Sequence, residues 1–589
     1  MSQAEEVILR GLPISKGIGI GSPVFFFNAD DEIPEISIAK KEVEKEVQRY
    51  RRALFLSRQD VEGLQKMSLN EGPPEIVAIL GTHLEMLQDP LITTVIEDKI
   101  RQLQRNTESI VHHLIEEYKL KFSTLQDHYF QERVRDLIDV SRRILGHLRP
   151  LDKVKWVDIP HHSVILAHEL VPSETIEASS TQVSAFVTSA GGITSHAAII
   201  ARAKGIPYVA NVDIKLLKRI EMQSMIVDGS QGLVIMNPQR STLKKYQEIK
   251  KGHLEKFRLI SHSSHLRGET VDGFEVRLFA NLENPKEVDS LVKNGAEGVG
   301  LFRSEYLFLS KKMFPSEEEQ FQIYRRMAKN LKGRPLVIRI FDIGGDKKID
   351  VLPDSPDAWY FQTIGTEANP ALGCRAIRFL LRYPNLLHSQ LRAILRASVF
   401  GEVQILVPMV SDISELRIVR EKTREIREEL EKEGIETAPI SIGCMIEVPS
   451  SAIICDALVQ ESDFVSIGTN DLVQYVLAAD RSNPAVSDLY FATHPSILRL
   501  IHMIVTSANR FCKPVIVCGE SAADPMMVPV LLGLGIREFS VSARHIPLVK
   551  HTIRKWRILE ACRLAEQALE YTVAHDLRQF LSAATDAIV

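Results

Sequence analysis

The chain has 589 residues, 45% of them hydrophobic and 25% charged, with 72 Lys and Arg against 76 Asp and Glu for a formal net charge of −4. At about 150 residues per domain this is roughly four units, or fewer if one is a barrel. The near balance of charge gives no electrostatic reason to expect nucleic-acid binding, and no uninterrupted apolar run is long enough to span a bilayer. The first residues, MSQAEEVILRG, carry acids where a secretory signal needs bases. Cysteines 374, 444, 455, 512, 518 and 562 form no C-x-x-C pair, so neither a zinc site nor a disulfide framework is expected. A reducing, cytoplasmic setting fits that usage.

Taken in chain order, residues 1–30 combine Gly11, Gly17, Gly19 and Gly21 with the apolar run VFFF and read as turns and one or two strands. From Ile38 the texture changes. Val43, Val47, Tyr50, Leu54, Val61 and Leu64 recur at helical spacing. Further helical stretches follow at about 74–88, 91–104, 107–121 and 129–148, with Asp89-Pro90 forcing a break. The stretch 35–148 is therefore expected to be an inserted helical bundle. Beyond it, HSVILAHEL, AFVTSA, YVANV and MIVDG read as short strands, and 194–204 reads as a helix. The expectation is one small α/β domain built from 1–30 and 150–240. Residues 241–266, charged and helical, suit a linker.

From 267 to 589, eight strand-like runs alternate with helical segments: VRLFANL, GVGLFR, PLVIRIFDI, VQILVPMV, SIGCMIEV, DFVSIGTND, PVIVCGE and EFSVSA. Eight parallel strands with intervening helices predict a (β/α)8 TIM barrel, which makes the whole a multidomain α/β protein. In such barrels the active site lies at the C-terminal ends of the strands. Those ends carry Asn281, Arg303, Arg339, Glu447, Asn470, Asp471, Cys518 and Glu520, and Arg481 follows the sixth strand. Any one of these can be an ordinary loop polar group or a salt-bridge partner. As a set they describe a site. Arginine grips phosphate and carboxylate with two donors at once. Two carboxylates near a small polyanion share a hard cation such as Mg2+. A cysteine at a strand tip can give or take a proton. The implied substrate is small, carries phosphate and carboxylate, and passes through an enolate.

A second feature lies upstream, in GGITSHAAIIAR (191–202). Gly191-Gly192 permits close backbone approach, and Thr194 and Ser195 can cap the helix that follows. A helix N-terminus binds phosphate, and imidazole is available as a neutral nucleophile near pH 7. His196 therefore reads as a phosphohistidine site. The other reading is a buried structural histidine beside a turn.

GGITSHAAIIAR resembles the phosphohistidine signature of the phosphoenolpyruvate-utilising enzymes, and DFVSIGTNDLVQYVLAADR (463–481) resembles their second signature. GAEGVGLFRSEYLF, FPSEEEQF, FDIGGDK, NPALGCRAIR, QLRAILRAS and CGESAADP add to the likeness, which covers nearly the whole chain. Within that group the chain is most similar to Enzyme I of bacterial sugar phosphotransferase systems. The resemblance implies that His196 takes phosphate from phosphoenolpyruvate and passes it to a histidine of the carrier protein HPr. It implies Glu447 and Asp471 as ligands of Mg2+, with Mn2+ as a possible substitute. It also implies Arg303, Arg339, Arg481 and Asn470 as phosphoenolpyruvate ligands, Cys518 as proton donor to the enolate, and Thr175 as the residue that orients His196. The bundle would dock HPr through His83 to Asp89, and the barrel would form a homodimer. Four features depart from the pattern: Asn211 where glycine is common, Cys374 for a usual tryptophan, Ile138 for a frequent arginine, and a longer segment after GGDK. The nucleotide-dependent relatives fit less well, because they place a large ATP-binding module before the phosphohistidine domain. A non-catalytic scaffold of the same fold would be expected to lack one of the site residues.

Overall fold

The computed structural model describes the chain apart from residues 1–5, 26–32, 72–73, 124–127, 149–158, 171–174, 176–177, 179–182, 192–195, 214–223, 263–264, 292–293, 310–313, 345–359, 361–366, 482, 484–485, 487–488 and 587–589. It divides into two units, Met1–Leu254 and Glu255–Val589.

The first unit contains one eight-stranded sheet made from two separated stretches of sequence. Its strands are β1 (Val7–Arg10), β2 (Leu12–Ser15), β3 (Ile18–Phe25), β4 (Ser163–Ala167), β5 (Val183–Thr188), β6 (Tyr208–Ala210), β7 (Met225–Asp228) and β8 (Leu233–Met236). They lie in the order β1-β8-β7-β3-β4-β5-β6-β2. The β3-β4-β5-β6 pairs are parallel and the others antiparallel. Two features went unread in the sequence. Three strands, not one or two, precede residue 26. The four-residue run of β8 forms a hairpin with β7, closed where Asp228 accepts the amides of Ser230 and Gln231 at 3.0 Å. Asn211 is left-handed, at φ 59°. Asparagine tolerates that conformation better than most residues, which accounts for its standing where glycine is common.

Between β3 and β4 run α1 (Val43–Glu71), α2 (Pro74–Met86), a π-helical segment (Leu91–Val95), α3 (Ile96–Leu103), α4 (Thr107–Ser123) and α5 (His128–Leu148). Val47, Tyr50, Leu80, Ile100, Val111 and Ile144 are among the residues that close their core. Leu80 and His83 on α2 and Leu87 in the turn that follows it, whose N–H donates to the His83 carbonyl at 3.0 Å, are all buried. His83 meets Asp136 at 3.4 Å inside the bundle. Within the stretch His83 to Asp89, Glu85, Gln88 and Asp89 are exposed, while His83 and Leu87 belong to the core. Ile138 packs against the same core, partly buried.

α6 (His196–Lys204) lies between these layers. Ala197, Ala198 and Ala201 pack with the sheet residues Ile165, Phe186 and Tyr208, and Ile200 packs into the bundle core. Alanine on one face lets the helix approach the sheet closely, and one larger side chain reaches the other layer. The helix α7 (Arg240–His262) starts by packing Leu243 and Tyr246 against Ile18, Ile226 and Ile235.

The second unit is a closed barrel of eight parallel strands. They are β9 (Arg277–Leu282), β10 (Val299–Arg303), β11 (Leu336–Arg339), β12 (Val403–Val407), β13 (Ser441–Ile446), β14 (Val465–Gly468), β15 (Val515–Cys518) and β16 (Glu538–Ser542), closed by β16 on β9. All eight coincide with the apolar runs in the sequence. Their outward residues join a large core beneath the surrounding helices, and Leu301, Val337, Leu406, Met445, Phe464, Ile516 and Cys518 fill the interior. No described helix is long and apolar enough to cross a membrane.

Candidate active site at the barrel mouth

Side chains alternate along a strand, so a residue two places beyond an interior residue also faces the interior. Arg303 follows Leu301, Arg339 follows Val337, Glu447 follows Met445 and Cys518 follows Ile516. The strand period therefore aims these four candidates into the C-terminal mouth. Asn470 and Asp471 arrive differently. The sequence places them at a strand end, but β14 stops at Gly468 and both sit in the first turn of α8 (Thr469–Leu477). A carboxylate is favoured there by the positive end of the helix.

A chain of alternating charge crosses the mouth. Arg339 pairs with Glu305, and its Nη2 lies 3.1 Å from Asp342 Oδ2. Asp342 receives Arg375 through Nη2 to Oδ2 at 2.9 Å and Nε to Oδ1 at 3.2 Å. Arg375 Nη1 then donates to Asp471 Oδ1 at 3.3 Å, and Arg481 Nη1 stands 3.9 Å from the same oxygen. Glu305, Arg339, Asp342, Arg375 and Asp471 are all buried. At one side Arg303 Nη1 donates to Glu283 at 2.7 Å. Glu305, Asp342 and Arg375 were not singled out from the sequence, since what defines them is mutual pairing across distant segments.

Buried charges need partners, and here most have them. Two donors at the mouth do not: the Nε–H groups of Arg303 and Arg339 are buried without a hydrogen-bond partner among the described residues. An unpaired buried donor costs about 1–3 kcal/mol, so a pair of them on two adjacent strands is suited to an anion that enters the mouth.

Glu447 Oε1 accepts the backbone N–H of Met409 at 2.7 Å, and Met409 is itself left-handed, at φ 55°. Burial, and then the neighbouring Asp471 carboxylate, raise the pKa of Glu447 to about 8. Two buried carboxylates that resist double ionisation form a donor set suited to a hard divalent cation. Among the described residues no cluster of three or more His, Cys, Asp or Glu forms a complete cage. Magnesium is commonly held by one or two carboxylates, with substrate oxygens and water filling the remaining positions.

Cys518 is buried, with Ser466 Oγ at 3.4 Å and the Ile467 carbonyl at 3.3 Å from its sulfur. Burial raises the thiol to about 11 against the lowering effect of Ser466, so it is protonated at neutral pH. Asn470 Oδ1 accepts the Glu520 amide at 3.0 Å, and Tyr490 donates to the Asn470 carbonyl at 2.8 Å. Glu520 itself is exposed. Arg481 donates its amide to Gln474 at 3.4 Å. Cys374, directly before Arg375, donates its amide to Glu367 at 2.8 Å.

In the first unit α6 begins at His196; residues 192–195 and the His196 side chain lie outside the described residues, and so does most of the longer segment after GGDK. Thr175 is buried. Gly191 has φ 134°, and a Cβ there would lie 2.9 Å from Tyr208 Oη, so this position requires glycine.

Residues 259–558 match the PEP-binding domain of the PEP-utilising enzymes, 10–133 match their N-terminal domain and 159–232 their mobile domain. The chain is 37% identical to the phosphoenolpyruvate-protein phosphotransferase of Priestia megaterium over 551 residues, which are 93% of this chain and 94% of that one. It is 35% identical to the protein of that name from Bacillus subtilis, over 97% of this chain and 99% of the other. The likeness to the protein of the same name from Staphylococcus carnosus is 35%, over 97% of each. The chain belongs to the phosphoenolpyruvate–protein phosphotransferases, the Enzyme I family. Its reaction class is phosphoenolpyruvate-dependent phosphotransfer. Within an Enzyme I barrel, the oxygen-rich, arginine-lined mouth is the part whose chemistry suits that substrate.

Two predictions follow from the geometry. A Cβ on Gly468 would lie 2.6 Å from Glu447 Oε2, and its φ of −85° imposes no backbone strain. Gly468→Ala should therefore displace the carboxylate and cut phosphoenolpyruvate turnover by roughly 10²-fold in protein that is still folded by its melting transition; unchanged turnover in steady-state assays would contradict this. The second concerns Cys518. A thiol raised from 9.0 to about 11 favours the folded state fully below pH 9 and loses that contribution as pH rises toward 11. In urea unfolding, wild type should lose stability between pH 9 and pH 11 more steeply than Cys518→Ala. Parallel curves would remove the assignment of a buried neutral thiol.

Proposed function

We propose that the chain transfers the phosphoryl group of phosphoenolpyruvate to His196, releases pyruvate, and then passes the phosphoryl group to a histidine of the carrier HPr. This is the first step of a relay for sugar uptake or regulation, run in the cytoplasm by a homodimer joined through the barrel. The observation that carries the reading is the pair of buried Nε–H groups on Arg303 and Arg339, without a partner among the described residues and close to a protonated thiol.

In this reading Arg303, Arg339 and Arg481 bind the phosphate and carboxylate of phosphoenolpyruvate, with Asn470 assisting. Glu447 and Asp471 hold Mg2+, or Mn2+ in its place, which when bound balances the charge on the substrate's oxygens. His196 attacks phosphorus. The bond from phosphorus to the enol oxygen breaks, and the electron pair leaves on pyruvate enolate. Cys518 then gives its proton to the enolate carbon to form pyruvate, and the thiolate is reprotonated from solvent. A thiol held well above neutral pH keeps its proton until a base as strong as an enolate is present. Thr175 orients His196, and the bundle receives HPr through the stretch His83 to Asp89, where Glu85, Gln88 and Asp89 are exposed. A helix N-terminus that begins at His196 favours negative charge on the phosphorylated imidazole.

His196→Ala should abolish labelling of the chain by radioactive phosphoenolpyruvate and leave the melting temperature unchanged; an acid-labile, alkali-stable phosphate on the variant would overturn the assignment. The cation is required at the barrel and not for delivery to the carrier. Preloaded enzyme given excess chelator and then HPr should still phosphorylate HPr, whereas chelator added before phosphoenolpyruvate should block loading. A complete block of the second step would contradict this division.

A further inference from the structure

The two arginines with unpartnered Nε–H groups are anchored from outside the barrel by a polar network that takes no part in the chemistry above. It is centred on Gln390, in α9 (Pro384–Ala397), which has no solvent exposure. Gln390 Oε1 accepts the N–H of Phe341 at 2.9 Å. Its Nε2 donates to Ser304 Oγ at 2.9 Å and to Tyr324 Oη at 3.2 Å. Ser304 Oγ in turn donates to the carbonyl of Arg339 at 2.6 Å. Tyr324 donates to Gln320 Oε1 at 3.1 Å, and Gln320 Nε2 to the Pro315 carbonyl at 2.9 Å. Ser304, Tyr324 and Gln320 are buried as well.

Each donor in this chain has its own acceptor, so the directions of the bonds are fixed. Ser304 is the residue after Arg303, and its hydroxyl holds the main chain of Arg339. Phe341 lies two residues beyond Arg339, just past the end of β11, where no strand ladder supplies an acceptor for its N–H. One amide side chain therefore ties the tip of β10 to the tip of β11 and fixes the backbone on both sides of Ile340. Buried networks of this kind rigidify what they connect when every member is satisfied.

We propose that Gln390 is a positioning residue: by way of Ser304 and Phe341 it sets the spacing and aim of Arg303 and Arg339, and so the affinity for phosphoenolpyruvate. This rests on the assignment of those arginines to the substrate. Glutamine suits the position because one side chain accepts from Phe341 and donates to Ser304 at the same time without titrating.

The test measures phosphoenolpyruvate binding by calorimetry with Mg2+, on the full chain carrying His196→Ala so that no phosphate is transferred. Gln390→Met keeps the volume and removes both functions. It should weaken binding roughly tenfold or more in protein that is folded by its melting transition. Arg339→Ala is the control. If Arg339→Ala binds as tightly as the parent, the assignment of the substrate site fails. If Arg339→Ala loses binding and folded Gln390→Met does not, the role of Gln390 fails. Gln390→Glu serves if the methionine variant does not fold. Protonated, it still accepts from Phe341 and donates to Ser304; ionised, it draws the Ser304 hydroxyl away from the Arg339 carbonyl. Its affinity relative to the parent should be near one at pH 6 and should fall as pH rises to 9. A ratio constant across that range, with the protein folded, overturns the proposal.

Discussion

The second unit depends on one constraint: charges removed from water must be matched at close range. Arg375 has no solvent exposure, yet it is held by two carboxylates on different segments, Asp342 after β11 and Asp471 at the start of α8. Breaking one partner of a buried pair costs roughly 3–5 kcal/mol, because the other is left uncompensated. The chain Glu305–Arg339–Asp342–Arg375–Asp471 therefore links β11 to the segments that follow β10 and β14. Among the described residues it also leaves two buried donors unused, which a small polyanion would complete.

The remaining layers serve that mouth by fixing its backbone. The strand period places Arg303, Arg339, Glu447 and Cys518 on the inner face, above an apolar plug that includes Leu301, Val337, Met445 and Ile516. Gly468 leaves room for the Glu447 carboxylate, and Met409 spends a left-handed conformation to give it an N–H. Non-glycine residues in such conformations persist only where surrounding structure holds them, and they cluster at ligand sites. In the first unit the corresponding device is α6. Its alanines seat it on the sheet and Ile200 ties it to the bundle, so the position of His196 is set by two layers at once.

Much of the barrel was legible because eight buried parallel strands leave eight apolar runs, and period two then names the residues at their ends. The bundle was legible from helical spacing, but spacing alone does not say which face turns inward. His83 carries a polar side chain, yet like Leu80 and Leu87 it is buried, and it packs inside with Asp136. Asn470 and Asp471 read as the end of a strand because the apolar run before them is continuous, whereas Gly468 ends β14 and the helix starts at once. Glu305, Asp342, Arg375 and Gln390 were hidden for a different reason. Each gains meaning from a partner 33–100 residues away, and no local pattern records a pairing across that distance.

The central claim is that this barrel mouth is the phosphoenolpyruvate site, completed by a cation. A crystal structure of the full chain carrying His196→Ala, grown with phosphoenolpyruvate and Mg2+, tests it most directly. The account predicts substrate oxygens within hydrogen-bonding distance of Arg303 Nε and Arg339 Nε, the enol carbon facing Cys518, and the metal between Glu447 and Asp471. Substrate bound elsewhere, with both Nε–H groups still unpaired, would contradict it.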